Sequence, residues 1–264
     1  MFLGDSLTEG VGSKRISHVA ELAKQLGASE FRLRPIDSSN GQVKFNVAGF
    51  MNAAASGLWL WNLACEGKTI ESDFEWLPLI SALGPELVVV FRGSLESIVR
   101  PAMLRNDAWP WWVPRAWRNY SAMDPRCYFS AAWWRKAKQT SVDVVKQKAR
   151  LKLLSQQPGK PLMELEEFAQ NQSELLQKLR ALGARVLVLG LLPVDEACFP
   201  NSPAYFKSVN TRLKEIANAA GVEFLDWGSL LPAKGTHAEL FYRDSFHPNE
   251  AGARALSEIL LQAL

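Results

Sequence analysis

Glu86-Leu87-Val88-Val89-Val90-Phe91 is apolar at every position after the first, and Gly93 follows two residues later. So short an uninterrupted run, rich in valine, suits a strand buried on both faces, as in a parallel sheet. Arg185–Leu192 (RVLVLGLL) repeats the pattern and stops at Pro193. Upstream, Met1–Leu3 reads as a very short strand and Val43–Val47 alternates as a strand does. Ile16–Leu26 carries Val19, Ala20, Leu22, Ala23 and Leu26 at helical spacing, and Thr69–Leu83 reads as a second helix. Leu162–Leu182 is helical and closes at Gly183. Ser208–Ala220 is helical up to Gly221, Val222–Leu225 is a short strand, and Asn249 to about Leu261 forms the last helix. Strands alternating with helices specify an α/β protein with a parallel sheet covered on both faces. Right-handed crossovers align the strand C-termini along one edge, where such sheets bind ligands. Ser6 follows the first strand and Gly93 follows 86–91, so their loops are expected to meet there.

The 264 residues are 48% hydrophobic and 22% charged, the profile of a folded domain. One domain over 1–264 is expected. The net charge of +3 is too small to imply a nucleic-acid partner, and none is expected. Its distribution is uneven. Arg100–Lys152 holds 12 Lys/Arg against 3 Asp/Glu, a local +9 that leaves −6 on the remainder. Cys65, Cys127 and Cys198 are odd in number and far apart, which argues against a disulfide framework. With no signal peptide before the first motif and no membrane-spanning apolar run, a cytoplasmic location is expected. Met1 stands only five residues before Ser6. Either the fold tolerates so short a first strand or the natural chain is longer.

Gly4-Asp5-Ser6-Leu7-Thr8-Glu9-Gly10 places a serine between a strand end and a helix start. Its hydroxyl can enter the crevice, and its own N–H lies among the orphan donors of a helix N-terminus. Such a serine can attack a carbonyl and help hold the oxyanion. At the other end, Asp244-Ser245-Phe246-His247-Pro248-Asn249 precedes the last helix. An aspartate three residues before a histidine can accept the imidazole N–H, fixing the tautomer and stabilising the imidazolium. His247 can then act as general base. Of the other histidines, His18 lies in the Ile16–Leu26 helix and reads as structural, and His237 lies in a polar loop and reads as solvated.

Taken together these blocks resemble the SGNH (GDSL-type) hydrolase superfamily, with Gly4-Asp5-Ser6-Leu7 as its first motif and Asp244 to His247 as its last. His247-Pro248-Asn249 with Gly252 continues the match. The resemblance implies a flavodoxin-like three-layer α/β/α sandwich and a serine esterase with Ser6, Asp244 and His247 as its triad. It implies no metal and no cofactor. The substrate would be a small-molecule, glycan or lipid ester. A lipid ester or an O-acetylated sugar is the expectation. An acyltransferase using the same triad, and a catalytically weak ligand-binding relative, stand as alternatives.

The middle blocks match less well. The resemblance calls for a glycine N–H in the oxyanion hole after the second strand. In Asn46–Asn52 either Gly49 or Asn52 would fill that place, beside the Ser6 N–H. The third block is Gly-x-Asn-Asp in the family and Gly93-Ser94-Leu95-Glu96 here, which sets Leu95 where an asparagine donor is expected. Losing one such donor costs roughly 3–4 kcal/mol in transition-state stabilisation. Ser94 or Arg92 would have to substitute, and Arg92 and Leu95 are candidate substrate contacts. Arg92 would alternatively pair with a carboxylate such as Glu96.

Residues 98–161 break the rhythm and hold six of the ten tryptophans, Trp109, Trp111, Trp112, Trp117, Trp133 and Trp134. This reads as a mainly helical insertion between a strand and its following helix. Val142, Val145, Ala149 and Leu153 form one apolar stripe, with Lys146, Lys148, Arg150 and Lys152 elsewhere around the turn. Four roles compete: a lid over the pocket, a peripheral membrane contact, a docking surface for an acidic glycan or partner, or an ordinary packed subdomain.

Overall fold

The computed structural model describes residues 1–11, 16–33, 57–101, 109–118, 123–127, 133–156 and 159–264. Six strands form one parallel sheet in the order β2-β3-β1-β4-β7-β8: β2 Ser29–Arg32, β3 Trp59–Asn62, β1 Phe2–Gly4, β4 Leu87–Phe91, β7 Arg185–Leu189 and β8 Glu223–Leu225. The apolar runs lie at its centre. Val88, Val89 and Val90 of β4 pair with Val186, Leu187 and Val188 of β7, all buried from both sides.

Two strands escape the sequence reading. Ser29–Arg32 and Trp59–Asn62 are only four residues each, and neither alternates cleanly. They are held as a pair by cross-strand rings: Phe31 stacks on Trp59 with centroids 4.5 Å apart and lies 5.3 Å from Trp61. The strand expected at Val43–Val47 lies outside the described residues. The helix expected over Thr69–Leu83 is a 3-10 turn, Ile70–Trp76, followed by α3, Leu77–Leu83, with Pro78 in its first turn.

The remaining helices are α1 Ser6–Glu9, α2 His18–Gln25, α4 Ser94–Ser97, α5 Trp133–Gln156, α6 Leu165–Ala181, α7 Ser202–Ala220, α8 Trp227–Leu230, α9 His237–Leu240 and α10 Glu250–Ala263. Two pairs flank the sheet, α2 with α10 and α6 with α7. They enclose one apolar core running from Phe2 and Leu3 through β4 and β7 to Leu256 and Leu260.

At the start and end of the Trp-rich segment, β5 (Arg100–Pro101) and β6 (Gly159–Lys160) form an antiparallel ribbon. Between them α5 packs a separate small core of Val113, Met123, Ala149 and Leu153, edged by Trp109, Trp112 and Trp117. The inward face of α5 differs from the expected stripe. Val145 is exposed, whereas Lys146 and Arg150 are buried. The Arg150 guanidinium donates to the Cys198 carbonyl at 2.8 Å and sits 3.6 Å from Asp124, and Lys146 Nζ lies over the Trp117 ring. Long basic side chains bury their stems and direct their heads to partners, so charge pairing overrides the apolar periodicity here.

Candidate active site

Ser6 is the first residue of α1, immediately past the C-terminus of β1. Asp5 caps that helix by accepting the Leu7 N–H at 2.9 Å. Gly4 is required by contact, since a Cβ there would meet Thr8 Oγ1 at 2.2 Å. Register places Gly4 opposite Phe91, so the loops after β1 and β4 emerge side by side. The backbone of Leu95, in the loop after β4, also helps to hold down the proton affinity of the Asp5 carboxyl.

The turn at the other end of the chain is equally built. Ser245 adopts a left-handed φ of 53°, and the Ser245 N–H donates to the Tyr242 carbonyl at 2.9 Å. Asp244 Oδ1 accepts the N–H groups of Phe246 and His247, both at 3.1 Å. Asn249 caps α10 through the N–H groups of Ala251 and Gly252 while its amide donates to the Glu239 carbonyl. Gly252 packs its Cα against that same corner, where a Cβ would stand 2.0 Å from the Leu240 carbonyl oxygen.

These two turns converge. His247 Nε2 lies 2.9 Å from Ser6 Oγ, and His247 Nδ1 lies 2.6 Å from Asp244 Oδ2. Asp244 is buried, while Ser6 and the imidazole stay partly accessible. The Phe246 ring meets the imidazole edge-on at 5.0 Å and fills the space behind it. The arrangement has the parts of a nucleophile, a base and an orienting carboxylate in hydrogen-bond contact.

Arg92 lies beneath this edge, not in the crevice. Its guanidinium is fully buried and pairs with both oxygens of Asp73, Nε to Oδ2 at 2.7 Å and Nη2 to Oδ1 at 2.5 Å. Nη1 donates to the Lys68 carbonyl at 2.6 Å. The expected ion pair therefore forms, with Asp73 in place of Glu96, and Arg92 is withdrawn from substrate. Glu96 is buried nearby, its Oε1 accepting the Ile70 N–H at 2.7 Å. Burial holds the Asp5 and Asp73 carboxyls above their ordinary range, against the opposing pull of Arg92, and drives Glu96 up to about 7. One guanidinium thus faces three buried carboxyls.

Ser94 opens α4 and is buried, with an Oγ that has no hydrogen-bond partner among the described residues. Leu95 is half-buried. Gly49 and Asn52 lie outside the described residues. The strand beside β1 is β3, and the loop that follows it, Leu63–Gly67, borders the Ser6 turn. The N–H of Cys65 donates to the Gly4 carbonyl at 3.1 Å, and the N–H of Glu66 donates to the Glu9 carboxylate at 2.6 Å. This loop was missed because its strand was missed. The apolar Trp59-Leu60-Trp61 ending on Asn62 was the available signal.

His18 is buried among Phe2, Phe91 and Trp227, and burial lowers its imidazole to about 3, so it stays neutral. His237 is not a loop residue. It begins α9, stacks on Phe241 at 4.1 Å and places Nε2 3.2 Å from the Ser245 carbonyl, supporting the Asp244 turn. The Trp-rich segment also reaches the site. Cys127, Asp244 and His247 bring ligand-capable atoms within 4.8 Å of one another. Both His247 ring nitrogens in that group are engaged by Asp244 and Ser6, and burial raises the Cys127 thiol to about 12, with Asp244 adding to it. No helix among the described residues is long and apolar enough to cross a membrane.

No curated protein sequence matches the chain. Among solved structures, TesA is similar at 18% identity over 100% of this chain and 96% of that one, with a TM-score of 0.56. LAE5, an α/β hydrolase enzyme from the metagenome of Lake Arreo, Spain, is similar at 15% identity over 99% and 92%, with a TM-score of 0.54. Axe2, an acetylxylan esterase from Geobacillus stearothermophilus, is similar at 16% identity over 99% and 91%, with a TM-score of 0.51. At these identities the likeness is one of fold. The sequence itself matches the GDSL-like lipase/acylhydrolase family over residues 2–255. The chain belongs to that family and is a serine hydrolase of the ester-cleaving kind.

Proposed function

We propose that the protein hydrolyses carboxylic esters through an acyl-enzyme on Ser6. The observation that carries this is the continuous path Ser6 Oγ, His247 Nε2, His247 Nδ1, Asp244 Oδ2, with gaps of 2.9 and 2.6 Å at its two ends. In the first half-reaction Ser6 Oγ attacks the ester carbonyl while its proton passes to His247 Nε2. Collapse breaks the bond to the alcohol, which leaves with that proton. Water then attacks the acyl group, gives a proton to His247, and the carboxylic acid departs as Ser6 recovers its own. Asp244, held by two backbone N–H groups, keeps the imidazole oriented throughout.

For the oxyanion, the Ser6 N–H is the first donor. Ser94 is the side-chain donor we favour in place of the asparagine, because its buried hydroxyl is unpartnered among the described residues. The N–H groups of 63–66 are already given to Phe2, Asn62, Gly4 and Glu9, so the second backbone donor is left to Gly49 or Asn52 in this reading.

The substrate class we favour is an O-acetylated sugar or a lipid ester. The fold shared with an acetylxylan esterase is consistent with the former, although fold alone selects no substrate. In this reading the inward side of α5 at Asp143 and the turn that holds Cys127 form one wall of the pocket. Arg243, next to Asp244, pairs with Asp143 of α5 at 2.5 Å, and Cys127 stands beside the imidazole. The same wall would favour acyl transfer to an alcohol if it excludes water. Product analysis with a competing alcohol separates the two outcomes. A chain-length series of aryl esters, assayed with wild type and Ser6→Ala, tests the reading as a whole. Turnover in wild type and near-complete loss in the variant are expected, and equal rates would remove Ser6 from the chemistry.

A further inference from the structure

α5 has a second apolar face, and none of the described residues covers it. At about 100° per residue, Trp133, Ala137, Val144 and Leu151 fall within about 40° of one line, and Trp134 and Val145 lie roughly 80–100° further round on its flank. This face points away from Ala149 and Leu153, which pack the small core. Trp133 is 81% exposed, and Trp134, Val144, Val145 and Leu151 are each about half exposed. The adjoining turn, whose Trp112 ring lies under Lys152 Nζ, carries Trp111 at 92%. Apolar side chains exposed in series along one helix mark an interaction surface more often than chance.

The charges around the stripe narrow its partner. Lys136, Lys138, Lys148 and Lys152, all exposed on α5, flank the stripe on its two sides. The sole acidic residue of the helix, Asp143, is paired with Arg243 on the inward side. A second copy meeting this face across a two-fold axis would bring lysines against lysines with no carboxylate of α5 between them. An anionic lipid surface suits both features. Indole rings settle at headgroup depth, and lysines beside them meet lipid phosphates.

We propose that the outer face of α5 docks the protein on an anionic membrane surface, with Trp133 and Trp134 inserted and Lys138 and Lys148 on the headgroups. This does not depend on what Ser6 attacks. Co-sedimentation of the full chain with phosphatidylcholine vesicles, with and without about a third phosphatidylglycerol, tests it. Binding is expected only with phosphatidylglycerol present, and it should weaken as salt rises. Trp133→Ala/Trp134→Ala and Lys138→Glu/Lys148→Glu should each weaken it by about tenfold or more. Both variants should unfold at the wild-type temperature and hydrolyse a short soluble ester at the wild-type rate. Absence of binding to anionic vesicles at low salt, or binding indifferent to both pairs of substitutions, would overturn the proposal. So would a wild-type dimer in light scattering that the tryptophan variant dissolves, which would assign the face to a second copy.

Discussion

Asp244 and His247 lie three residues apart, which is why their pairing is legible in the sequence. A turn with Ser245 at positive φ folds the carboxylate back onto the imidazole, and short-range geometry needs no knowledge of the rest of the chain. Replacing Asp244 with Asn should leave the fold intact and lower kcat by roughly 10³–10⁴, because the imidazole loses the carboxylate that fixes its tautomer. Steady-state kinetics on a soluble aryl ester reads this, and a variant within tenfold of wild type would deny Asp244 its role. Gly252 makes a separate, purely steric prediction. Gly252→Ala drives a methyl onto the Leu240 carbonyl and should cost about 1–3 kcal/mol in urea denaturation. Arg92 was not legible at this scale. Its carboxylate partner, Asp73, is 19 residues upstream on a 3-10 turn, whereas Glu96 is the nearer acid in sequence. Sequence proximity is a poor guide to buried ion pairs, whose partners are set by packing.

Elements were legible in proportion to how fully they are buried. β4 and β7, continuous and central, stand out from their composition. β2 and β3 lie at the outer side of the sheet, and β3 is read only once its tryptophans are seen to pack on Phe31. The link between elements beneath the site is the Arg92 cluster, which joins the 3-10 turn, the loop after β3 and the loop after β4. Arg92→Met strands buried Asp73 and should cost about 3–5 kcal/mol. Arg92→Met/Asp73→Leu should recover most of that, and a double variant no more stable than the single one would contradict the pairing.

Glu96 adds a pH dependence. Its folded pKa, about 7, lies above the ordinary carboxyl value, so the folded state binds its proton more tightly than the unfolded state. Its contribution to stability is fully present below about pH 4.5 and is lost as pH rises through about 7. The difference in melting temperature between Glu96→Gln and wild type should therefore shift in favour of the variant from pH 5 to pH 8. A pH-independent difference would place the proton elsewhere.

Across the whole molecule, the chain separates its duties by segment. The sheet and its two helical pairs set Ser6, Asp244 and His247 at one edge, while residues 98–161 concentrate the tryptophans and the positive charge. That 241 residues separate Ser6 from His247 makes their contact a property of the completed fold. Neither end could show it alone, and the motif pair suggests it only through family resemblance. The most direct test is intact-mass and peptide analysis after treatment with an aryl alkylphosphonate, which captures a serine only where a base activates it. A single adduct mapped to Ser6, and its loss in both Ser6→Ala and His247→Ala, is the predicted result. A folded wild-type protein that takes no label, or takes it at another residue, would contradict the account.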